Sequence, residues 1–398
     1  MAGTDTKSAV VDKASGALLA ILASLAALGT LATNILLPSL PGIASSFDVP
    51  TAATGSLMSS FFATFALGQL FVGPLSDRYG RRPLVLAGLV IFVAGSMVCA
   101  VAATLSSLVI GRIIQAIGVC ASSVLSRAIA RDLFSGNALA RVLSFIMVAM
   151  AAAPGFSPLL GSGLDHVFGW RSSFVSVAAF GVAVGIWYAF SVGETHHADR
   201  IPLASASILR GYVSLLRDRQ FIVPAASVSA VIGGLFAVFT VTPAILVDGL
   251  GFTPVALSLF YAGTVFIVFG AGFAAPRLAQ RAGLAAVTRA GLIISSTGCV
   301  LMALLALAGF GNFASYLLPM LVFLSGMGLV NPIGTALTLS PFGARAGSAS
   351  ALLGFLQMGA AALAIAAATV LPVSPFLALS LVLATLTTAA SLIFFLRA

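Results

Sequence analysis

The sequence predicts an all-α membrane protein: twelve transmembrane helices in two pseudo-symmetric six-helix bundles. Three observations carry that prediction. Only 7% of the residues are charged, 60% are hydrophobic and the mean hydropathy is +1.15, whereas a soluble domain carries about 25% charged residues. Apolar runs of about 20 residues, the length that crosses the hydrocarbon as a helix, recur along the whole chain with short polar breaks between them. The basic residues gather in alternate breaks. A soluble globular protein is excluded, and so is a transmembrane barrel, which would show short alternating segments.

The predicted spans follow the apolar runs in order. A polar tail, residues 1–15 with Lys7 and Lys13, precedes the first span, 16–40, which is long enough to stay as a helix without a cleavable signal. The second and third, 54–75 and 83–103, enter and leave the densest charge cluster of the chain, Gly73 to Pro83. The fourth, 106–129, holds Arg112 inside its apolar run and closes on Arg127, Arg131 and Asp132. The fifth, 142–163, contains Pro154 and Pro158, and the sixth is 171–192. After a polar connector come 220–243, 255–276, 289–309, 313–337, 348–371 and 374–396. The expected organisation is a tail at 1–15, bundles at 16–193 and 220–398, and a cytoplasmic connector at 194–219.

Charge then orients the chain. With the N-terminus inside, all but Arg112 and Arg171 of the 19 basic residues fall in the tails, the inward loops or the helix ends beside them. Lys and Arg collect on the cytoplasmic side, so both termini are expected there, and the net charge of +9 needs no nucleic acid to explain it. The cysteines, Cys99, Cys120 and Cys299, lie in apolar runs with neither disulfide nor metal spacing. A repeat is also visible. Leu278-Ala279-Gln280-Arg281-Ala282-Gly283 echoes Leu75-Ser76-Asp77-Arg78-Tyr79-Gly80 at an offset of 203 (278 less 75).

Several strings carry a family resemblance. Gly73-Pro74-Leu75-Ser76-Asp77-Arg78-Tyr79-Gly80-Arg81-Arg82 has the form G-x-L-x-D-R-x-G-R-R, which resembles the loop between helices 2 and 3 of the major facilitator superfamily. Arg112-Ile113-Ile114-Gln115-Ala116-Ile117-Gly118 resembles its fourth-helix motif, and Pro154-Gly155-Phe156-Ser157-Pro158-Leu159-Leu160-Gly161 the fifth-helix signature of its drug antiporters. Ser126 to Phe134, Phe168-Gly169-Trp170-Arg171, Thr242-Pro243-Ala244-Ile245-Leu246, Asn331-Pro332 and Ala346 to Leu352 look like the Bcr/CflA subfamily, exporters of bicyclomycin and chloramphenicol-type drugs. The resemblance implies two six-helix halves, alternating access and a bacterial inner-membrane location. It also implies a proton gradient as energy source, no cofactor or metal, and a monomer whose partners are drugs and the bilayer.

The same resemblance assigns roles. Gly73, Asp77, Arg78, Gly80 and Arg81 would latch the outward-facing state; Gly73 is expected to permit close helix approach and Gly80 a tight turn. A merely solvated loop is the alternative, but it needs neither the Asp nor both glycines. Arg127 and Arg131 share a helix face, where they and Asp132 can join that network. Arg112 is the one charge well inside an apolar run, and such a charge faces a cavity or a polar partner, or else snorkels. Gln115 shares its face. Pro154, Gly155, Pro158 and Gly161 would form a hinge, against a reading as ordinary packing with incidental kinks. Gln69, Phe236, Phe239, Thr240, Tyr261, Asn331 and Gln357 are cavity candidates, since drug sites are apolar and aromatic with a few polar groups.

One position departs from the subfamily. None of the ten acidic residues falls in mid-span, and Asn34 stands in Thr33-Asn34-Ile35-Leu36-Leu37-Pro38 where the pattern has an Asp. A buried carboxylate can load and release a proton; an amide cannot. Either another group carries the proton, or the chain is uncoupled, or the Asn is a substitution that mimics the protonated acid and traps one state. With Arg112 positive and no acid opposite, neutral or weakly anionic amphiphiles are expected over lipophilic cations. A facilitator or importer of a small metabolite is the alternative within the fold. An enzyme is disfavoured because no nucleophile triad, metal cluster or phosphate loop falls inside the spans, and no stretch is long enough for the soluble domain a sensor would append.

Overall fold

A computed structural model of the chain describes residues 16–134, 136–195 and 205–397. The tail 1–15 with Lys7 and Lys13, the connector segment 196–204 with Arg200, and the side chain of Arg397 lie outside the described residues. The described residues form helices and no strand: α1 Gly16–Asn34, α2 Leu40–Ser46, α3 Gly55–Tyr79, α4 Arg81–Ala100, α5 Leu105–Leu133, α6 Gly136–Phe168 and α7 Arg171–Ser191, then α8 Ser205–Arg217, α9 Arg219–Pro243, α10 Pro254–Ala282, α11 Leu284–Leu307, α12 Phe313–Leu339, α13 Ala346–Val370 and α14 Pro375–Arg397. Among them, twelve segments are long and apolar enough to span a bilayer. In hydrocarbon every backbone N–H and C=O must be satisfied within the segment, which selects helices. This is a multi-pass membrane protein.

Two differences from the predicted elements have clear causes. The first span is not one helix to residue 40: α1 ends at Asn34, a 3-10 turn occupies Leu37–Ser39, and α2 follows. Pro38 brings no N–H to donate to the Asn34 carbonyl and restricts the residue before it, which breaks the ladder, while Pro41 stands in the first turn of α2, where a missing N–H costs no bond. The connector is not wholly irregular either, since it contains the amphipathic helix α8. There Tyr212 and Leu215 are buried in a cluster with Phe221, Phe342, Leu352 and Leu353.

The fold divides into two compact units. The described parts of Met1–Leu36 and Phe71–Leu203 form one, and those of Leu37–Leu70 and Ala204–Ala398 the other. The expected bundles at 16–193 and 220–398 differ from this grouping chiefly in Leu37–Leu70. That segment packs on second-unit helices: the Phe62 ring lies 4.4 Å from the Phe236 ring, and the Gln69 amide rests on Gly354.

In the first unit α4 and α5 pack backbone on backbone, and α1 lies against α5, α6 and α7. At Gly95 a Cβ would strike the backbone N of Gln115, and at Gly118 that of Phe92, so only glycine permits this approach. In the second unit α11 and α12 meet in the same way at Gly291 and Gly298. Gly88 and Gly95 of α4 map onto Gly291 and Gly298 by the offset of the sequence repeat, as does Gly80 onto Gly283 (283 less 80 is again 203). Both of the latter have positive φ, 97° and 86°. The repeat seen in the Leu, Arg and Gly of two short strings therefore extends to the backbone.

Candidate functional site

The turn between α3 and α4 is held by an arginine and three acids. Arg81, 8% exposed, donates from Nη1 to Asp77 Oδ1 at 2.6 Å and from Nε to Asp132 Oδ2 at 3.0 Å, and it also donates to the Ser76 hydroxyl. Glu194 comes from the exit of α7. Its carboxylate accepts the backbone N–H of Arg81 at 2.9 Å and of Arg82 at 3.1 Å. These are the first N–H groups of α4, otherwise without intrahelical partners, and the positive end of the helix favours an anion there. Gly80 is required twice over: its φ of 97° suits glycine, and a Cβ would run into the Glu194 carboxylate. Thr195 donates to Asp132 Oδ2 at 3.3 Å, and Arg82 donates to the Ala189 carbonyl at 2.8 Å. Charge-assisted bonds of this kind thus tie α3, α4, α5 and the end of α7 at one point.

A second polar chain lies within the same unit. Arg112 of α5 is fully buried. Its Nη1 donates to Gln115 Oε1 at 2.5 Å and to the Ala32 carbonyl of α1 at 3.2 Å. Gln115 Nε2 donates to Ser96 Oγ of α4 at 2.7 Å, and Ser96 to the Phe92 carbonyl at 2.8 Å. A guanidinium inside a membrane helix is costly unless polar groups surround it, and here three helices supply them. Two residues beyond Ala32, the buried Asn34 donates from Nδ2 to the Thr30 carbonyl at 2.7 Å. Further along α5 the Ser122 hydroxyl is buried with no hydrogen-bond partner among the described residues.

The second unit gathers aromatic and small polar side chains. The Phe239 and Tyr261 rings meet edge to face at 5.2 Å, and Tyr261 donates to the Phe239 carbonyl at 2.7 Å. Thr240 bonds to the Phe236 carbonyl at 2.8 Å and lines a cavity of about 30 Å³ with Thr51, Gly55 and Thr369, room for a water and not for a drug. Thr242 and Tyr316 share a hydrogen bond of 2.5 Å. Asn331 on α12 and Gln357 on α13 are half-buried.

Residues 22–365 match the model of the Major Facilitator Superfamily. The chain belongs to that superfamily. Among curated relatives, the uncharacterized MFS-type transporter YdgK of Bacillus subtilis is 29% identical over 345 residues, 86% of each chain. Multidrug resistance protein D of Escherichia coli is 28% identical, covering 85% of each chain. The bicyclomycin resistance protein homolog of Haemophilus influenzae is 27% identical, covering 83% of each. These names agree with the Bcr/CflA resemblance. Among solved structures, the D-xylose-proton symporter superposes with a TM-score of 0.72 at 18% identity, covering 96% of this chain and 97% of its own. A POT family transporter superposes at 0.74 and 13%, covering 95% and 94%. Both likenesses show the fold alone.

Within this superfamily fold the expected residues are distributed unevenly. Asp77, Gly80, Arg81 and Asp132 come together as one cluster. Gly73 does not make the close helix approach expected of it: a Cβ there would meet nothing within 4 Å. Arg127 and Arg131 do not join the cluster. Arg127 lies 3.9 Å from Met150 Sδ and Arg131 is exposed, because Arg81 already occupies the space between Asp77 and Asp132. Arg78 is exposed, its guanidinium 5.2 Å over the Tyr79 ring. Pro154, Gly155, Pro158 and Gly161 lie in one continuous helix, α6, and at Gly161 a Cβ would strike the Ile35 carbonyl, so this glycine seats α6 against the chain just beyond α1. Tyr261 is fully buried with its hydroxyl committed, which makes it a brace and not a wall of an open cavity.

The residues that sequence reasoning missed are Glu194, Ser76, Ser96 and Tyr212. Glu194 reads as one more loop acid. Only an acid at the exit of a helix facing the start of another would have flagged it, and their adjacency is tertiary. Tyr212 has a clearer signal. Pro74 has no N–H, so the carbonyl four residues back, Leu70, lacks its helical donor; the Tyr212 hydroxyl donates to it at 3.1 Å. Burial raises the Tyr212 phenol above its ordinary pKa, so it stays a donor. Tyr261 does the same for Phe239, the carbonyl that Pro243 leaves free.

Proposed function

We propose that this chain exports neutral or weakly anionic amphiphilic drugs, chloramphenicol- or bicyclomycin-like, across the bacterial inner membrane by alternating access, with both termini cytoplasmic. The observation that carries the reading is the fully buried Arg112, held by Gln115 and the Ala32 carbonyl in a chain without a mid-span acid. A fixed positive charge of this kind repels lipophilic cations and attracts electron-rich groups. The drug-resistance names of relatives support the direction of transport. In this reading Asn331 and Gln357 supply neutral hydrogen bonds to cargo, the Asp77–Arg81–Asp132–Glu194 cluster is the conformational latch, Pro154 and Pro158 give α6 its hinge, and export runs without a proton at residue 34, where an amide stands in place of the acid.

The test is chloramphenicol efflux from proteoliposomes holding the full chain, with a quaternary ammonium dye as competitor. Saturable efflux that the dye inhibits poorly, and that Arg112→Gln reduces at least about tenfold, is the expected result. A dye that binds tighter than chloramphenicol would overturn the substrate class. Saturable uptake of one polar metabolite with no drug efflux would assign the fold to import.

A further inference from the structure

The connector helix α8 leaves an unexplained surface. It lies outside the twelve spans, yet Leu209, Val213 and Leu216 are 64%, 37% and 40% exposed. At 3.6 residues per turn these three fall within about 60° of arc. The stripe beside them, Tyr212 and Leu215, is buried in the second unit, and Tyr212 is pinned to Leu70. On the opposite flank, roughly another 60° round, stand the exposed Arg210 and Arg217. They line an open groove of about 560 Å³ with Val213, Ser214 and Asp218. Arg345, from the α12–α13 loop, reaches Ser214 Oγ at 3.5 Å and adds a third guanidinium. The acid on the groove, Asp218, is turned to the start of α9, where it accepts the Gln220 N–H at 2.9 Å.

Read around the helix, the order is core, exposed apolar stripe, arginines. That is the order of a helix lying in the plane of a membrane surface, with its apolar side toward acyl chains and its cations at the headgroups. The geometry points to α8 as a phospholipid site. An anionic lipid of the leaflet beside the arginine-rich loops lays an acyl chain along Leu209, Val213 and Leu216 and sets its phosphate among Arg210, Arg217 and Arg345. Charge complementarity selects the occupant: two or three guanidiniums within one helix turn or two favour phosphatidylglycerol or cardiolipin over a zwitterionic lipid. The site is independent of what the transporter carries. Because α8 is fastened to α3 through Tyr212 and Leu70, lipid bound here steadies the helix that leads into the Asp77 turn.

The experiment uses the full chain in proteoliposomes of phosphatidylethanolamine with either phosphatidylglycerol or phosphatidylcholine. Cys99, Cys120 and Cys299 are buried, so Leu216→Cys accepts a bimane label, and Val90→Cys on α4 serves as the bilayer control. Brominated acyl chains are carried on one lipid or the other. The expected result is quenching at position 216 about fivefold or more stronger with brominated phosphatidylglycerol than with brominated phosphatidylcholine. The combined substitution Arg210→Gln, Arg217→Gln and Arg345→Gln should bring that ratio near one while phosphatidylcholine still quenches. Equal quenching by the two lipids in the arginine-containing chain overturns the anionic site. Quenching at position 90 with none at 216 overturns the membrane contact.

Discussion

At the scale of single residues, the turn between α3 and α4 depends on who satisfies whom. Glu194 closes two N–H groups that α4 cannot close itself, so Glu194→Gln removes a charge-assisted pair and is expected to cost about 1–3 kcal/mol. Thermal unfolding in detergent measures it, and a midpoint unchanged from the parent chain would show the cap to be idle. Arg81 and Arg78 are three residues apart and look alike in sequence, but one is buried between two carboxylates and the other exposed. Arg81→Gln leaves Asp77 and Asp132 without their shared cation and is expected to destabilise by about 3 kcal/mol, while Arg78→Gln stays within about 0.5 kcal/mol. The same unfolding measurement separates them. The charges of this turn were legible as a cluster, because so few others exist in the chain. Their partners were not. Asp132 stands 51 residues from Arg81 and Glu194 113 from it, and nothing local links such positions.

At the scale of elements, proline accounts for contacts that otherwise look incidental. A proline in a helix frees the carbonyl four residues before it, and at Leu70 and Phe239 a tyrosine hydroxyl from another helix answers. Tyr212→Phe and Tyr261→Phe are each expected to cost about 1–2 kcal/mol by leaving a carbonyl unpaired. The prediction has its own control. Pro74→Ala restores an N–H to the helix, so it should recover most of the loss from Tyr212→Phe, whereas the same proline change in the Tyr261→Phe background should recover none of it. Equal effects in the two backgrounds would mean that the prolines and tyrosines are unrelated. Here the sequence was half legible. The helices and the prolines inside them could be read from hydropathy, and so in principle could the orphan carbonyls, but which side chain answers them is decided by packing. The break after Asn34 was missed for a related reason: Pro38 ends the helix while hydropathy carries on through Leu40 and Ile43.

At the scale of the whole molecule, the fold class was legible because hydrocarbon permits so few solutions: twelve apolar runs give twelve spanning segments, and the superfamily match covers residues 22–365. Coupling belongs to this scale, and it turns on residue 34. Asn34 is buried and donates a hydrogen bond to the Thr30 carbonyl at 2.7 Å. A protonated carboxylic acid can donate that bond; a carboxylate can only accept and would face the carbonyl with like polarity. Asn34 therefore reproduces the proton-loaded form of an acid and cannot leave it. Asn34→Asp should therefore hold a proton in this conformation, where the Thr30 carbonyl accepts from it, and surrender it when the position meets water. Chloramphenicol efflux with and without an imposed pH gradient checks this: the parent chain should respond to the gradient less than about twofold and Asn34→Asp more than about tenfold. If the parent chain responds as strongly as the variant, the proton travels elsewhere, and Arg112 with the Asp77 and Asp132 network is the next place to test. A variant that binds drug yet ignores the gradient would separate the site from the coupling, leaving residue 34 a helix-end cap and nothing more.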